Sequence, residues 1–151
     1  MSSIRPLALS VAMVGLVASA SPLFAADDKV ASFETGEQGT DQWEALSFWL
    51  HADGRKDIAY AHGKDRQSID VESKALTGTG DRVRLRIVFP DGRAVDAAVA
   101  GPSLQVDDGS GKPPKTFAWE YEGPVDGRGT FCTPCVEEQD AIPFVRAHFM
   151  R

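Results

Sequence analysis

The fold of this chain is decided by the stretch VRLRIVFPDGRAVDAAV, which runs from Val83 to Val99. Its first half alternates apolar residues with mainly basic ones, which is the period of a strand with one buried face and one wet face. The sequence Pro90-Asp91-Gly92 then predicts a turn, and the alternation resumes at Val95. We therefore predict a β-hairpin over residues 83–99.

Shorter runs with the same period occur on both sides of this hairpin. They predict further strands over residues 46–50, 58–60, 69–71, 104–106 and 117–121. Parallel neighbours need crossovers of about a dozen residues or more, and the segments between these strands are mostly shorter than that. We therefore predict a mainly β domain, a small antiparallel β-sandwich or meandering barrel of about seven strands.

The C-terminal end changes to helical spacing. Its apolar residues fall at i, i+3 and i+7, namely Ile142, Val145 and Phe149. We expect one short helix from about Ala141 to Met150, with Asp140 as its N-cap. Pro143 then lies in the first turn, where its missing N–H is harmless.

The first residues have the pattern of a secretory signal peptide. A basic start precedes 14 uncharged residues from Leu7 to Ala20, and Ser21-Pro22 and small residues follow. That run is shorter than the about 20 apolar residues of a membrane-spanning helix. We predict a signal peptide over residues 1–25, cleaved near Ala25 or Ala26, and a periplasmic or secreted protein.

The remaining chain, residues 26–151, has the length of one β-rich domain. Its first part, residues 26–42, is polar and leaves open a loose N-terminal arm or an added strand. We expect no stable membrane insertion after cleavage.

The charge of the mature domain limits its partners. The whole chain carries a formal net charge of −6, and Arg5 is the only charged residue of the leader, so the mature domain carries −7. Such a domain is poorly suited to nucleic acid or anionic lipid. We expect a protein partner, with a basic protein as one candidate, or a component of the cell envelope.

Cys132 and Cys135 are the only two cysteines, and they form a Cys-Thr-Pro-Cys motif. An oxidising compartment favours a disulfide between cysteines this close. We predict a structural bond that fixes the turn before the C-terminal helix. Three alternatives remain: a redox-active pair, a bond to another molecule, or a metal site that Cys132, Cys135 and His148 would share.

The order Phe131-Cys132-Thr133-Pro134-Cys135 before a helix resembles the active-site corner of thioredoxin-like oxidoreductases, where the helix N-terminus stabilises a thiolate. In that family further strands and helices follow the motif, whereas only 16 residues follow Cys135 here. The resemblance therefore implies neither that fold nor a catalytic role. In size, charge and expected fold the domain is similar to the bacterial inhibitors of lysozyme, although their Ser-Gly-x-x-Tyr stretch is absent.

Three side chains are candidates for a binding surface. Trp49 is out of phase with its apolar neighbours and should point to the opposite face of its strand. Arg84 and Arg86 project together from the wet face of theirs, where they would bind an anionic group or pair with carboxylates across the sheet. The chain has no Gly-x-Ser-x-Gly nucleophile motif and no phosphate-binding loop. We therefore predict a non-enzymatic binding module without a cofactor.

Overall fold

The computed structural model describes residues 27–75, 84–120 and 134–150. The predicted signal peptide and Cys132 lie outside the described residues. Within the described ranges, no helix is long and apolar enough to span a lipid bilayer.

The described residues form a closed antiparallel barrel of eight strands, followed by one helix. In chain order the elements are β1 (Lys29–Thr35), β2 (Glu44–Leu50), β3 (Lys56–His62), β4 (Gln67–Ala75), β5 (Arg84–Val88), β6 (Ala94–Ala100), β7 (Ser103–Asp107), β8 (Lys115–Glu120) and α1 (Glu138–Phe149). Each strand pairs with the next one, and β8 pairs with β1 to close the barrel. The meandering barrel and the C-terminal helix are thus confirmed. The eighth strand is β1, which occupies part of the stretch 26–42.

Side chains fill the barrel interior. An eight-stranded barrel is just wide enough for its inward side chains to pack against each other. The largest apolar side chains that are fully buried are Phe33, Leu46, Phe48, Leu85, Ile87, Leu104 and Phe117. They belong to five different strands, so the predicted alternation of apolar residues builds one common core.

Helix α1 closes the end of the barrel where β1 begins and β8 ends, which we call the helix-capped end. The first half of α1 lies beside Gly101 and Pro102 in the turn between β6 and β7. Its last turn approaches the start of β3, where Lys56 Nζ donates a hydrogen bond of 2.8 Å to the carbonyl oxygen of His148. The Phe149 ring packs edge-on against Phe48, with ring centroids 5.2 Å apart. The helix is therefore part of the core.

The helix begins at Glu138, three residues earlier than predicted, and ends at Phe149. Asp140 is therefore not the N-cap. Glu137 holds that position without a side-chain hydrogen bond, and Pro143 lies inside the helix. The acidic Glu138 and Asp140 stabilise the positive end of the helix dipole, which favours a helical turn ahead of the proline.

A polar network lies at the opposite end of the barrel, which we call the open end. Glu44 on β2 accepts a hydrogen bond from Lys115 on β8. Burial, the charge of Glu44 and a hydrogen bond to that carboxylate raise the pKa of Tyr60 to about 12. The Tyr60 ring also packs edge-on against Phe89, with centroids 4.9 Å apart. Tyr60 is therefore a neutral hydrogen-bonding group at physiological pH.

Replacing Glu44 by Gln will lower the pKa of Tyr60 towards its ordinary value of 10 while burial keeps it above that value. The chain has two tyrosines, so an ultraviolet titration in a Tyr121→Phe background reports Tyr60 alone. Glu138→Gln, at the other end of the barrel, is the matched control and should leave the titration unchanged. An unaltered Tyr60 titration in Glu44→Gln would show that this carboxylate does not govern the phenol.

Candidate functional site

A surface cleft of about 480 Å³ lies at the helix-capped end, between the start of β1 and the first half of α1. We call it the Cys135 cleft. Its lining residues are Asp27, Asp28, Lys29, Pro134, Cys135, Val136, Glu137, Asp140, Pro143 and Phe144. Two stretches about 100 residues apart in the sequence therefore form one site.

Main-chain hydrogen bonds fix the wall of the cleft that carries Cys135. The N–H of Val30 donates to the carbonyl oxygen of Pro134 at 2.9 Å, and the N–H of Val136 donates to that of Val30 at 2.8 Å. Cys135 therefore forms an isolated parallel β-bridge with Val30. The ladder between β1 and β8 begins only at Ser32, so residues 134–136 take the edge of β1 that β8 leaves uncovered.

A tryptophan side chain ties the same segment to the barrel. Trp119, at the end of β8, donates a hydrogen bond of 3.0 Å from its Nε1 to the carbonyl oxygen of Val136. Its ring packs against the core and is half-buried, as expected for the apolar phase of its strand. The wall of the cleft is thus held by the barrel on both sides of Cys135.

The cleft combines a negative rim with an apolar floor. Its rim carries the carboxylates Asp27, Asp28, Glu137 and Asp140 against one cation, Lys29. The N-terminus of α1 adds about half a positive charge, which leaves the site clearly negative. Phe144, with 8% of its surface exposed, contributes to the floor beside Pro143. A lysine or arginine side chain fits this pattern, because its alkyl stem packs on apolar surface while its charged end stays at the rim.

His51 links the cleft to the next part of the rim. Its Nδ1 lies 3.2 Å from Asp28 Oδ2, and its Nε2 lies 2.6 Å from Asp57 Oδ2. The hydrogen bond to Asp28, followed by the one to Asp57, raises the pKa of His51. The N–H of Ala52 donates to Asp28 Oδ1 at 2.8 Å, and this bond and then His51 lower the pKa of Asp28. Through its two carboxylate partners, His51 thus holds the start of β1 against the turn between β2 and β3.

The stability contributed by His51 should depend on pH. Its pKa is raised by folding, so this contribution is complete below its ordinary value of 6.5 and is lost as the pH rises through the raised value. We expect the free energy of unfolding to fall more steeply above pH 6.5 in the natural protein than in His51→Gln. Urea denaturation between pH 6 and pH 9 measures this difference.

The matched control for this titration is His62→Gln, at the end of β3 far from Asp28. Its pH profile should follow that of the natural protein. Parallel profiles for the natural protein and His51→Gln would contradict the bridge.

The structure describes two of the three residues of the alternative metal site. Cys135 lines the cleft, and Cys132 lies outside the described residues. His148 is in the last turn of α1, ten residues beyond Glu138, which corresponds to about 15 Å of helix rise. Among the described residues, no group of three or more His, Cys, Asp or Glu side chains is placed to hold a metal ion.

The structure also does not bring the three candidate binding residues together. Trp49 lies on the outer face of β2, where it is half-buried and its ring stacks on His51 at a centroid distance of 6.2 Å. Arg86, on β5, donates two hydrogen bonds to Asp96, from Nε at 2.9 Å and from Nη2 at 3.1 Å. Arg84 is exposed beside this pair. Arg86 therefore pairs with a carboxylate across the sheet, which is one of the two roles that the sequence analysis considered for it.

Sequence reasoning found Cys135 but missed the carboxylates and His51 that surround it. Asp28 and His51 are 23 residues apart, and no short motif contains both. Only the pairing of β1 with β2 places the start of one strand beside the end of the other.

Comparison of the chain with family models, with curated proteins and with solved structures gives no match. The function is therefore argued from the geometry of the cleft.

Proposed function

We propose that the mature domain is an exported, non-enzymatic binding module whose Cys135 cleft takes a cationic segment of a protein partner. The observation that carries this proposal is the cleft itself, in which four carboxylates and one lysine surround an apolar floor. The net charge of −7 on the mature domain supports it, because a negative protein attracts a basic partner over long range.

Our proposal includes a structural disulfide between Cys132 and Cys135. Among the described residues there is no free cysteine. The main chain around Cys135 is already fixed to Val30, so the bond would hold a wall of the cleft in place. Export would supply the oxidising compartment in which such bonds persist.

The strength of binding should come from several weak contacts. An exposed ion pair contributes about 0.2–1 kcal/mol, and salt screens it. Two such pairs correspond to about a 2- to 30-fold change in affinity. Burial of an alkyl stem against Phe144 and Pro143 adds a contribution that salt does not screen.

Neutralising the cleft should weaken the binding of basic probes. We expect the double variant Asp27→Asn/Asp140→Asn to bind lysozyme, a strongly basic protein, and hexalysine about 2- to 30-fold more weakly than the natural domain. Binding to both should also weaken from low to high salt. Isothermal titration calorimetry at two salt concentrations measures both effects.

The matched control is Asp41→Asn/Asp65→Asn, which removes the same charge from two exposed loops at the open end. If both double variants lost affinity equally, the attraction would come from net charge and not from the cleft. Hexalysine binding that is absent or insensitive to salt would exclude a cationic ligand.

A further inference from the structure

The wall of the barrel opens between β3 and β4 at the helix-capped end. The ladder between these strands runs from His62–Gln67 to Ile58–Val71 and stops there. Continuing this register would pair Lys56 with Ser73, but β4 instead turns to pair with β5 from Glu72 onwards. A cavity of about 640 Å³ lies in the gap, which we call the β3–β4 notch. Its lining residues are Arg55, Lys56, Asp57, Ile58, Asp70, Val71, Glu72 and Ser73.

On the β3 side of the notch, the main chain of Lys56 has no strand partner among the residues that the structure describes. The N–H of His51 donates to the carbonyl oxygen of Arg55 at 2.9 Å, which makes these two residues a hydrogen-bonded pair. Bonded and non-bonded pairs alternate along an antiparallel ladder, so the next pair, Leu50 and Lys56, is non-bonded. The main-chain N–H and C=O of Lys56 therefore point away from β2 and into the notch.

The β4 side has the same property. The N–H of Phe89 donates to the carbonyl oxygen of Arg93 at 2.8 Å, so alternation directs the main chain of Val88 towards β4. Glu72 is the residue that pairs with Val88, and the main chain of the next residue, Ser73, therefore points away from β5. The strand register gives the N–H and C=O of Ser73 no partner among the described residues. Two strand edges thus face each other across an open cavity.

The charges of the notch favour a basic occupant. Asp57, Asp70 and Glu72 are exposed on its outer side. Its two cations already have acceptors: Arg55 Nε donates to Asp53 at 2.8 Å, and Lys56 Nζ donates to the carbonyl oxygen of His148. Arg55 Nη1 also lies 3.9 Å from Asp57, which is bonded to His51, so the charge offered to an occupant comes mainly from Asp70 and Glu72. The floor is apolar, because Ile58 is 3% exposed and Val71 packs beside it.

We propose that the β3–β4 notch is a docking site for a short extended segment of a protein partner that carries a basic side chain. The segment would add its main chain to the free edges at Lys56 and Ser73, which is recognition by strand addition. Alternate side chains of an extended segment point to opposite sides, so a basic residue would face the three carboxylates while an apolar neighbour faces Ile58. This inference goes beyond the proposed cleft and uses none of its lining residues.

Amide hydrogen exchange tests the free edges directly. In the unbound domain we expect the amides of Lys56 and Ser73 to exchange at least tenfold faster than those of Ile58 and Val71, which lie within the ladder. A saturating capped tetrapeptide, Lys-Val-Lys-Val, should slow the exchange of Lys56 and Ser73 at least tenfold. Protection of both amides in the dilute unbound domain would overturn the proposal, and so would protection that appears only with rising protein concentration, because a second copy would then fill the notch.

Fluorescence anisotropy of the labelled peptide tests the two recognition elements. Glu-Val-Glu-Val should bind at least tenfold more weakly because it lacks the positive charges. An N-methylated Lys-Val-Lys-Val should also bind at least tenfold more weakly because it lacks the main-chain N–H donors. Ser73→Pro removes one edge donor and should weaken peptide binding. Ser73 pairs with Ile87 in the ladder with β5, but its N–H points away from β5, so proline breaks no bond of that ladder. Asp70→Asn/Glu72→Gln keeps the main chain and should still weaken the basic peptide.

Asp41→Asn/Asp65→Asn and the cleft variant Asp27→Asn/Asp140→Asn should leave unchanged the protection that the tetrapeptide gives to the amides of Lys56 and Ser73. Equal binding by all variants, or no binding at millimolar peptide, would overturn the docking site. Because the cleft variant is a control here, failure of the notch and failure of the cleft give different results.

Discussion

Replacing Phe149 by Ala will lower the free energy of unfolding by about 3–5 kcal/mol. The side chain is 8% exposed and its ring meets the fully buried Phe48 edge-on at 5.2 Å. The change leaves a cavity where α1 enters the end of the barrel, and the surrounding strands are held by their ladders and will collapse into it only in part. Urea denaturation followed by circular dichroism measures the loss.

A double-mutant cycle separates the interaction energy between Phe48 and Phe149 from the general cost of lost core volume. Phe48→Ala and Phe149→Ala should show an interaction energy of about 0.5–1.5 kcal/mol, the range for an aromatic pair. A loss of less than about 1 kcal/mol in the free energy of unfolding of Phe149→Ala would contradict the helix-capped architecture, because the helix would then not be packed into the core.

With the structural disulfide that we propose, replacing both cysteines by serine will lower the free energy of unfolding by about 2 kcal/mol, the loop-entropy value for a ring of about four residues. The loss is smaller than for Phe149 because the ring is short. Binding of hexalysine should weaken only as far as the wall of the cleft loosens. Parallel urea denaturation of the oxidised natural domain and of Cys132→Ser/Cys135→Ser gives the difference.

The natural domain and Cys132→Ser/Cys135→Ser also distinguish a structural disulfide from a redox-active one. A structural disulfide should have a reduction potential below about −300 mV against glutathione. A potential of about −120 to −200 mV, or loss of all binding in the double variant with little loss of stability, would make the cysteine pair itself the working site.

The strand that the sequence predicted most clearly is β5, which has one wet face. In β5, exposed Arg84 and Arg86 alternate with the buried Leu85 and Ile87, and this contrast identifies the strand. In β1 four consecutive residues from Val30 to Phe33 are buried, so the alternation that would have marked it is missing. Helix α1 was placed correctly, but its start was not, because Pro143 suggested a first turn and the acidic residues ahead of it extend the helix.

The candidate site could be predicted only at its cysteines. A CxxC motif is local and can be read from the sequence, whereas the cleft joins Asp27–Lys29 to residues 134–144 through barrel closure. The notch depends on the point where β4 leaves β3 for β5, and no residue type between Gln67 and Ala75 marks that change. Both sites are consequences of strand register.

The measurement that tests the proposed function most directly is a titration of the ¹⁵N-labelled mature domain with hexalysine at low salt, followed by amide chemical shifts. We predict that the largest shifts fall on Asp28, Lys29, Cys135 and Asp140. At a subsaturating concentration of hexalysine, these shifts should be smaller in Asp27→Asn/Asp140→Asn and at high salt. Shifts centred on the open end, around Asp41 and Asp65, or equal shifts in the cleft variant would contradict it.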